Sequence, residues 1–280
     1  MDRQTKDALA ARALLLVTFT VPQQLRGLIR SHQKALFHLM FRESAATMQD
    51  VAANPKHLGA QLGMLGVLHT WSRQLIYHPH IHYVVAGGGL SDDGLCWRRV
   101  QQPGFFLPEK VLAARFRTRF QQALQAAHPG LFASLPSKVW RIGWVVDCIA
   151  VGRGASALKY LSAYVYKTAL GSQRIVRDDG QRVIFTYRDN SDGSTKTATV
   201  AAEEFVRRFL QHVLPARFPR VRSFGWLSAA AKARRARIET LLAWKRPAAV
   251  VSLPLPPPVC PHCRQPMVWV ERLARAPPSG

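Results

Sequence analysis

His78-Pro79-His80-Ile81-His82-Tyr83-Val84-Val85-Ala86 is the stretch that decides the fold. Its aromatic and β-branched residues read as a strand, and Gly87-Gly88-Gly89 closes it with turn material. Side chains at i and i+2 leave the same face of a strand, roughly 6–7 Å apart at their roots. His80 and His82 therefore offer two imidazoles to one side, a spacing that converges on one divalent cation. The plainer account, a satisfied structural histidine, fits one His on an apolar face better than it fits a pair. His78 shares the face, but three successive same-face positions span roughly 13 Å, too far for one ion. Pro79 also removes a ladder donor, as suits the first residues of a strand or an edge.

The chain has 280 residues, 48% of them apolar, enough for one large domain or two small ones with a real core. Its 39 Lys and Arg against 16 Asp and Glu leave a net charge of +23. Such a chain repels itself unless it meets a polyanion, and its field attracts phosphate backbones. A basic protein of a membrane surface or ribosome would share that charge. His78 accordingly reads as a support behind the ligands or a DNA-facing residue. No run of about twenty uncharged apolar residues exists, so no bilayer span is expected. Ala13–Val21 is short and flanked by charge, hence a strand rather than a signal peptide, and the expected location is the cytoplasm. Cys96, Cys148, Cys260 and Cys263 do not form an oxidised scaffold in a chain this long. Cys260-Pro-His-Cys263 has the spacing of half a zinc knuckle, and a Zn2+ ion at Cys260 and Cys263 would need further donors from a partner or another segment.

Along the chain, Leu14–Val21 predicts a strand, about Gln23–Arg42 a helix, and about Leu58–Ile76 a second helix leading to the histidine strand. That strand folds back as a hairpin with Leu95–Val100. Pro108–Ala127 predicts a helix and Val139–Ile149 a strand. Ser156 is placed to cap a helix, and Gly171 stands where a left-handed residue ends one. Arg174–Val176, Val183–Arg188 and Thr195–Val200 predict a meander, followed by helices over about Ala202–Val213 and Ser228–Lys245. Five prolines in Pro247–Val259 predict an extended linker. The expected division is a core over 1–227, a basic helix over 228–246, the linker over 247–259 and the CxxC tail over 260–280.

The second chemical motif is Lys159-Tyr160-Leu161-Ser162-Ala163-Tyr164-Val165-Tyr166-Lys167. At about 100° per residue, Leu158, Leu161, Val165 and Ala169 gather on one helix face, while Tyr160, Tyr164 and Lys167 lie within roughly 60° of one another opposite. Tyr166 falls away from that group. Two phenols at i and i+4 can visit one metal-bound phosphate, and Lys167 can either favour a phenolate or hold a phosphate oxygen. Tyrosines on a basic protein also stack on bases, and Tyr-x-x-x-Tyr alone favours that reading. Together with the His-x-His pair and the charge it favours an oxygen nucleophile beside a metal-polarised phosphoryl group.

With these motifs, and with Glu204–Pro215 running on to Phe224-Gly225-Trp226-Leu227, the chain resembles rolling-circle insertion-sequence transposases, two-tyrosine members of the HUH (His-hydrophobic-His) endonucleases. The likeness extends over roughly residues 14–245. It implies an α+β fold, a central antiparallel sheet flanked by helices with the histidine pair on a central strand, and a basic helical C-terminal part. It implies a divalent metal, Mg2+ or Mn2+, on His80 and His82. Tyr160 and Tyr164 match the nucleophile pair, cutting single-stranded DNA through a 5′-phosphotyrosine intermediate at element ends and target. Arg153, Arg174, Arg217, Arg220, Arg222, Lys232, Arg234, Arg235 and Arg237 are the expected DNA contacts. Relatives carry an N-terminal cysteine-rich zinc module, and this chain starts almost at the core, as a shortened transposase would. No third metal ligand follows the tyrosines on their helix face; Asp147, on the preceding strand, is the nearest guess. A non-catalytic single-strand binder explains the charge but not both motifs. A small-molecule metal hydrolase needs further His or Asp ligands on strands, whereas His128, His212 and His262 lie in helical or linker contexts.

Overall fold

The computed structural model describes residues 13–100, 106–153, 168–189, 191–243, 257–260 and 262–268, with Ala157, Lys159, Ser162 and Val165 of the intervening segment. The first strand, β1 (Ala13–Thr20), forms as its run of β-formers predicts. The helix expected over 23–42 is interrupted instead. A 3-10 turn at Gln23–Leu25 leads into α1 (Arg26–Ser31), His32 leaves helical geometry, and α2 (Gln33–Ala53) resumes. The helix expected over 58–76 is a strand, β2 (Gln61–Trp71), and this is the main correction to the sequence reading. β2 is buried along nearly its whole length. A strand covered on both faces loses its polar alternation, and periodicity alone then cannot tell it from a helix. Gly63 and Gly66 argued against the helix, at about 1 kcal/mol each.

After a turn, β3 (Tyr77–Leu90) carries the histidines and β4 (Trp97–Arg99) pairs with its end, so the expected hairpin forms. Then come α3 (Glu109–Ala127), α4 (Pro129–Ala133) and β5 (Val145–Arg153). The strand expected from Val139 starts only at Val145, because Ser137–Trp140 forms a 3-10 turn. The meander is present as β6 (Ile175–Asp178), β7 (Arg182–Arg188) and β8 (Thr195–Ala201), a separate three-stranded sheet. Gly171 is extended rather than left-handed, and the residue proposed to cap the tyrosine helix, Ser156, lies outside the described residues. The chain closes with α5 (Ala202–Leu210), β9 (Val221–Gly225) and α6 (Lys232–Leu241).

The main sheet runs β5-β1-β3-β2-β9, antiparallel throughout, with β4 on β3. The fold is α+β, and the histidine strand is central in its sheet. One sheet face, with Val17, Phe19, Leu68, Ile81 and Tyr83, packs on Phe37, Phe41 and Met48 of α2 and Phe116 and Phe120 of α3. Phe116 stands edge-on to both Phe19 and Trp144, at 5.1 Å each, an arrangement worth ~0.5–1.5 kcal/mol per pair beyond burial. The other face, with Leu14, Leu16, Leu65, Val67 and Val84, packs on Trp226, Leu227, Ile238 of α6, and Ala157 and Val165 of the tyrosine segment. Both faces are covered, so the sheet supplies two cores.

Close approach explains one glycine. A Cβ at Gly63 would strike the ring of Trp226, itself fully buried. The chain divides into two compact units, Met1–Lys245 and Arg246–Gly280. In the second, Val259 bridges Pro266 and the Cys260 amide donates to the Gln265 carbonyl (2.9 Å), so Cys260 and Cys263 flank a tight turn. No helix among the described residues is long and apolar enough to cross a membrane.

Candidate metal centre

His80 and His82 leave the same face of β3, and antiparallel pairing sets their neighbours. His80 lies opposite Thr20 of β1 and His69 of β2; His82 lies opposite Thr18 and Val67. The pairing of β2 with β3 then slips, from His69↔His80 to Trp71↔Tyr77, so β3 has one residue more than β2 in this interval. The extra residue falls in the His78-Pro79 region, and proline is tolerated where a ladder is broken. The irregularity leaves the His78 carbonyl free to accept a hydrogen bond from His80 Nδ1 at 2.7 Å. A carbonyl only accepts, so His80 carries its proton on Nδ1 and turns the Nε2 lone pair inward. His80 Nε2 lies 3.1 Å from His82 Nε2, and His82 Nδ1 lies 2.8 Å from Thr18 Oγ1.

His69 completes the group. Its ring stacks on Trp71 (4.6 Å, 20°) and stands edge-on to those of His82 (4.8 Å) and His80 (5.5 Å). One ring nitrogen from each of His69, His80 and His82 lies within 4.8 Å of the others. His69 and His80 are buried and His82 is half-buried. Three bare nitrogens so close repel one another unless a proton or a cation lies between them, and each outer nitrogen that is hydrogen-bonded steers its inner one, as metal sites require. The donor set fits a divalent ion. All-imidazole coordination suits a nitrogen-accepting transition ion better than magnesium, which prefers oxygen.

The third donor was therefore missed by the sequence reading because β2 was read as a helix. Read as a strand pairing with β3, Gln61–Trp71 places His69 beside the histidine pair. Asp147 is not in the group. It shares Thr18 as a cross-strand neighbour with His82 but from the opposite side, on β5, and is exposed; burial and then Glu109 raise its carboxyl. His78 also stays outside the triad. Burial, with Arg26 second, lowers its imidazole to about 4, so it is neutral near pH 7 and contributes its carbonyl to the site.

Tyr160, Tyr164 and Lys167, like Tyr166, lie outside the described residues, as does the side chain of Arg153. Their neighbours locate the segment. Ala157 and Val165 are buried in the core of the face that carries the triad. Arg220 Nη2 donates to the Val165 carbonyl (3.1 Å), and the same guanidinium lies 5.4 Å from the centre of the Trp71 ring that backs His69. Arg220 thus links the tyrosine segment to the wall of the triad.

The other expected DNA contacts divide by what they touch. Arg174 donates to the carbonyls of Thr186 (2.7 Å) and Arg73 (2.8 Å), tying β7 to the β2–β3 turn. Arg222 points to the opposite sheet face, over Phe41 (4.5 Å) and Phe218 (4.9 Å). Arg235 and Arg237 donate to the carbonyls of Ser228 (3.2 Å) and Gly94 (3.1 Å). Arg217, Lys232 and Arg234 are exposed. At the tail, hydrogen bonds from the Cys263 and His262 amides, and then from the Cys263 side chain, lower the Cys260 thiol.

Residues 63–235 match the model of the Y2_Tnp family, described as "Putative transposase". The chain is similar to "Putative transposase y4qJ" of Sinorhizobium fredii (strain NBRC 101917 / NGR234), 36% identical over 229 residues, 75% of this chain and 57% of that protein. It is also similar to the transposase for insertion sequence element IS801 of Pseudomonas savastanoi pv. phaseolicola, 25% identical over 230 residues, 76% of this chain and 53% of that one. The chain thus spans about half the length of the curated relatives it matches. Among solved structures, the copper-bound conjugative relaxase TRWC in complex with oriT DNA is 18% identical, with a TM-score of 0.35, covering 46% of this chain and 54% of that one.

Proposed function

Because the chain belongs to the Y2_Tnp family of transposases, we propose that it cuts and rejoins single-stranded DNA in transposition, by a two-tyrosine mechanism at the histidine triad. The observation that carries the reading is the convergence of His69, His80 and His82 on the sheet face that also buries Ala157 and Val165. A divalent ion held by the three imidazoles would polarise the scissile phosphoryl group and offset its developing charge. Between the two ions the sequence suggested, the nitrogen donors favour Mn2+ over Mg2+.

The chain's own residues do the rest. Tyr160 or Tyr164 gives up its phenolic proton and its oxygen attacks phosphorus. The bond from phosphorus to the 3′ oxygen breaks, and that oxygen leaves as a 3′-hydroxyl after taking a proton. A 5′-phosphotyrosine remains, and a later attack by a 3′-hydroxyl reverses the step and frees the tyrosine. Two nucleophiles let one site hold a first end while it cuts a second. Lys167 stabilises a phenolate or holds a phosphate oxygen, and exposed Arg217, Lys232 and Arg234 hold the strand by phosphate contacts. Within the tail, Cys260 and Cys263 would supply two donors of a zinc site completed from elsewhere.

The test is incubation with a labelled single-stranded DNA pool of randomised sequence and Mn2+, followed by a denaturing gel. A covalent adduct is expected, lost on His80→Ala or His82→Ala and lost in the double variant Tyr160→Phe, Tyr164→Phe. An adduct that survives the double change, or that mass spectrometry maps to Tyr166 alone, overturns the tyrosine assignment. If no adduct forms, the enzymatic reading fails.

A further inference from the structure

Between the β2–β3 turn and the end of β7 lies a cavity of about 280 Å3 into which three arginines converge from separate elements. Arg26 is the first residue of α1, Arg73 lies in the turn, and Arg188 ends β7. The cavity is held open by bonds to backbone. Arg73 Nη1 donates to the Arg188 carbonyl (3.1 Å), Arg188 Nε to the Gly193 carbonyl (3.0 Å), and Arg174 Nη2 to the Arg73 carbonyl (2.8 Å). The one carboxylate in the lining, Asp189, is already taken by Lys196 (2.6 Å) and by the amide and hydroxyl of Ser191. Arg26 Nε is buried and has no hydrogen-bond partner among the described residues. Three arginines lining one cavity without a free acid, one of them with a buried unmet donor, form a site suited to an anion. Tyr187 adds an aromatic ring to the same lining.

Its position gives the anion an identity. Trp71 stacks on His69, and the next residue, Ser72, already lines the cavity. Ser72 lies three residue steps beyond His69, roughly 10 Å in extended chain. A single strand with one phosphate at the triad would pass its neighbouring nucleotides into this space. We propose that the cavity is a nucleotide subsite for the DNA strand flanking the cut, with a backbone phosphate on Arg26, Arg73 and Arg188 and the attached base against Tyr187. The assignment rests on the reading that the triad acts on single-stranded DNA.

The experiment measures binding without cleavage, so that the two readings fail separately. The full chain in EDTA is titrated with fluorescent oligothymidylate at several salt concentrations, and fluorescence anisotropy gives the affinity. Arg26→Gln and Arg188→Gln should each weaken binding and flatten the slope of log affinity against log salt by about 0.7, the share of one phosphate on a single strand. Arg26→Lys keeps the charge and loses the fork, so affinity should fall with the slope unchanged; this variant decides the matter if Arg26→Gln fails to melt like the parent. Tyr187→Leu should cost about fivefold or more on the normal oligonucleotide and almost nothing on an abasic one, which has no base to stack. Parental affinity and slope in the arginine variants, or an equal loss on both oligonucleotides for Tyr187→Leu, overturns the subsite. Those results would leave the adduct assay untouched, whereas failure of that assay alone would leave these bindings as they are.

Discussion

At Thr18 a hydroxyl lies 2.8 Å from His82 Nδ1, the outer nitrogen of a ring whose inner nitrogen faces the site. Thr18→Val keeps the shape and removes the partner. We expect the affinity for Mn2+ to fall about 10–100-fold, as for other groups that orient a metal-bound histidine, with the melting curve little changed. Titration calorimetry would read this, and parental affinity would exclude Thr18 from the site. On the opposite sheet face His38 takes a hydrogen bond from Arg222 Nη1 at 3.1 Å, which requires an unprotonated ring. Burial first, then Arg222 and Lys34, lower its pKa. An unfolded histidine takes its proton near about 6.5. As pH falls through that value the unfolded chain binds the proton before the folded one does, so stability declines. His38→Gln should therefore lose less stability than the parent between about pH 7.5 and about pH 5.5, measured by urea midpoints. An identical decline in both would show that other groups set the acid limit.

The elements make sense once β2 is recognised as a strand between two covered faces. Gly63 lies beneath the Trp226 ring, and opposite it in the register Gly225 has φ +60, with the space for a Cβ filled by the Leu62 carbonyl. β9 can therefore dock on β2 only because both positions lack a side chain. Gly63→Ala would push the indole out of its packing and should cost ~1–3 kcal/mol by overpacking. The drop should appear in the denaturant midpoint, while a Gly94→Ala control, in a turn with open space for a Cβ but φ +71, reports backbone strain alone. A parental midpoint for Gly63→Ala would mean that Trp226 can yield. The same covering that makes β2 stable erased the signal by which its strand character would be read. β3 kept its signal because histidines interrupt its apolar run on one face.

Over the whole molecule, the net charge of +23 calls for a polyanion, but the fold decides which charges can meet it. Arg217, Lys232 and Arg234 are exposed, whereas Arg174 and Arg220 spend donors on backbone carbonyls around the site. Single-strand affinity should fall with salt with a slope steeper than about −3, each phosphate contributing about 0.7. Lys232→Gln or Arg234→Gln should flatten that slope. Arg174→Gln should act on the thermal midpoint instead, because its carbonyl partners are orphaned. A flat salt dependence in the parent would assign the positive charge to another purpose.

The histidine strand with its spacing and hairpin, the helix α3, the meander and the basic character were legible in the residues, since each depends on local pattern: period, turn chemistry and charge; β9 was not, because it is defined by its long-range pairing with β2. The tyrosine wheel rests on local pattern too, but its tyrosines lie outside the described residues; only the burial of Ala157 and Val165 in the core of the triad's face is seen. His69 was not legible, because its place beside His80 and His82 depends on which strand pairs with β3 and in what register. The Arg26–Arg73–Arg188 cavity was hidden for the same reason, its residues being brought together from a helix, a turn and a separate sheet. Local sequence sets what each segment tends to become; only long-range pairing and two-sided burial decide which side chains meet.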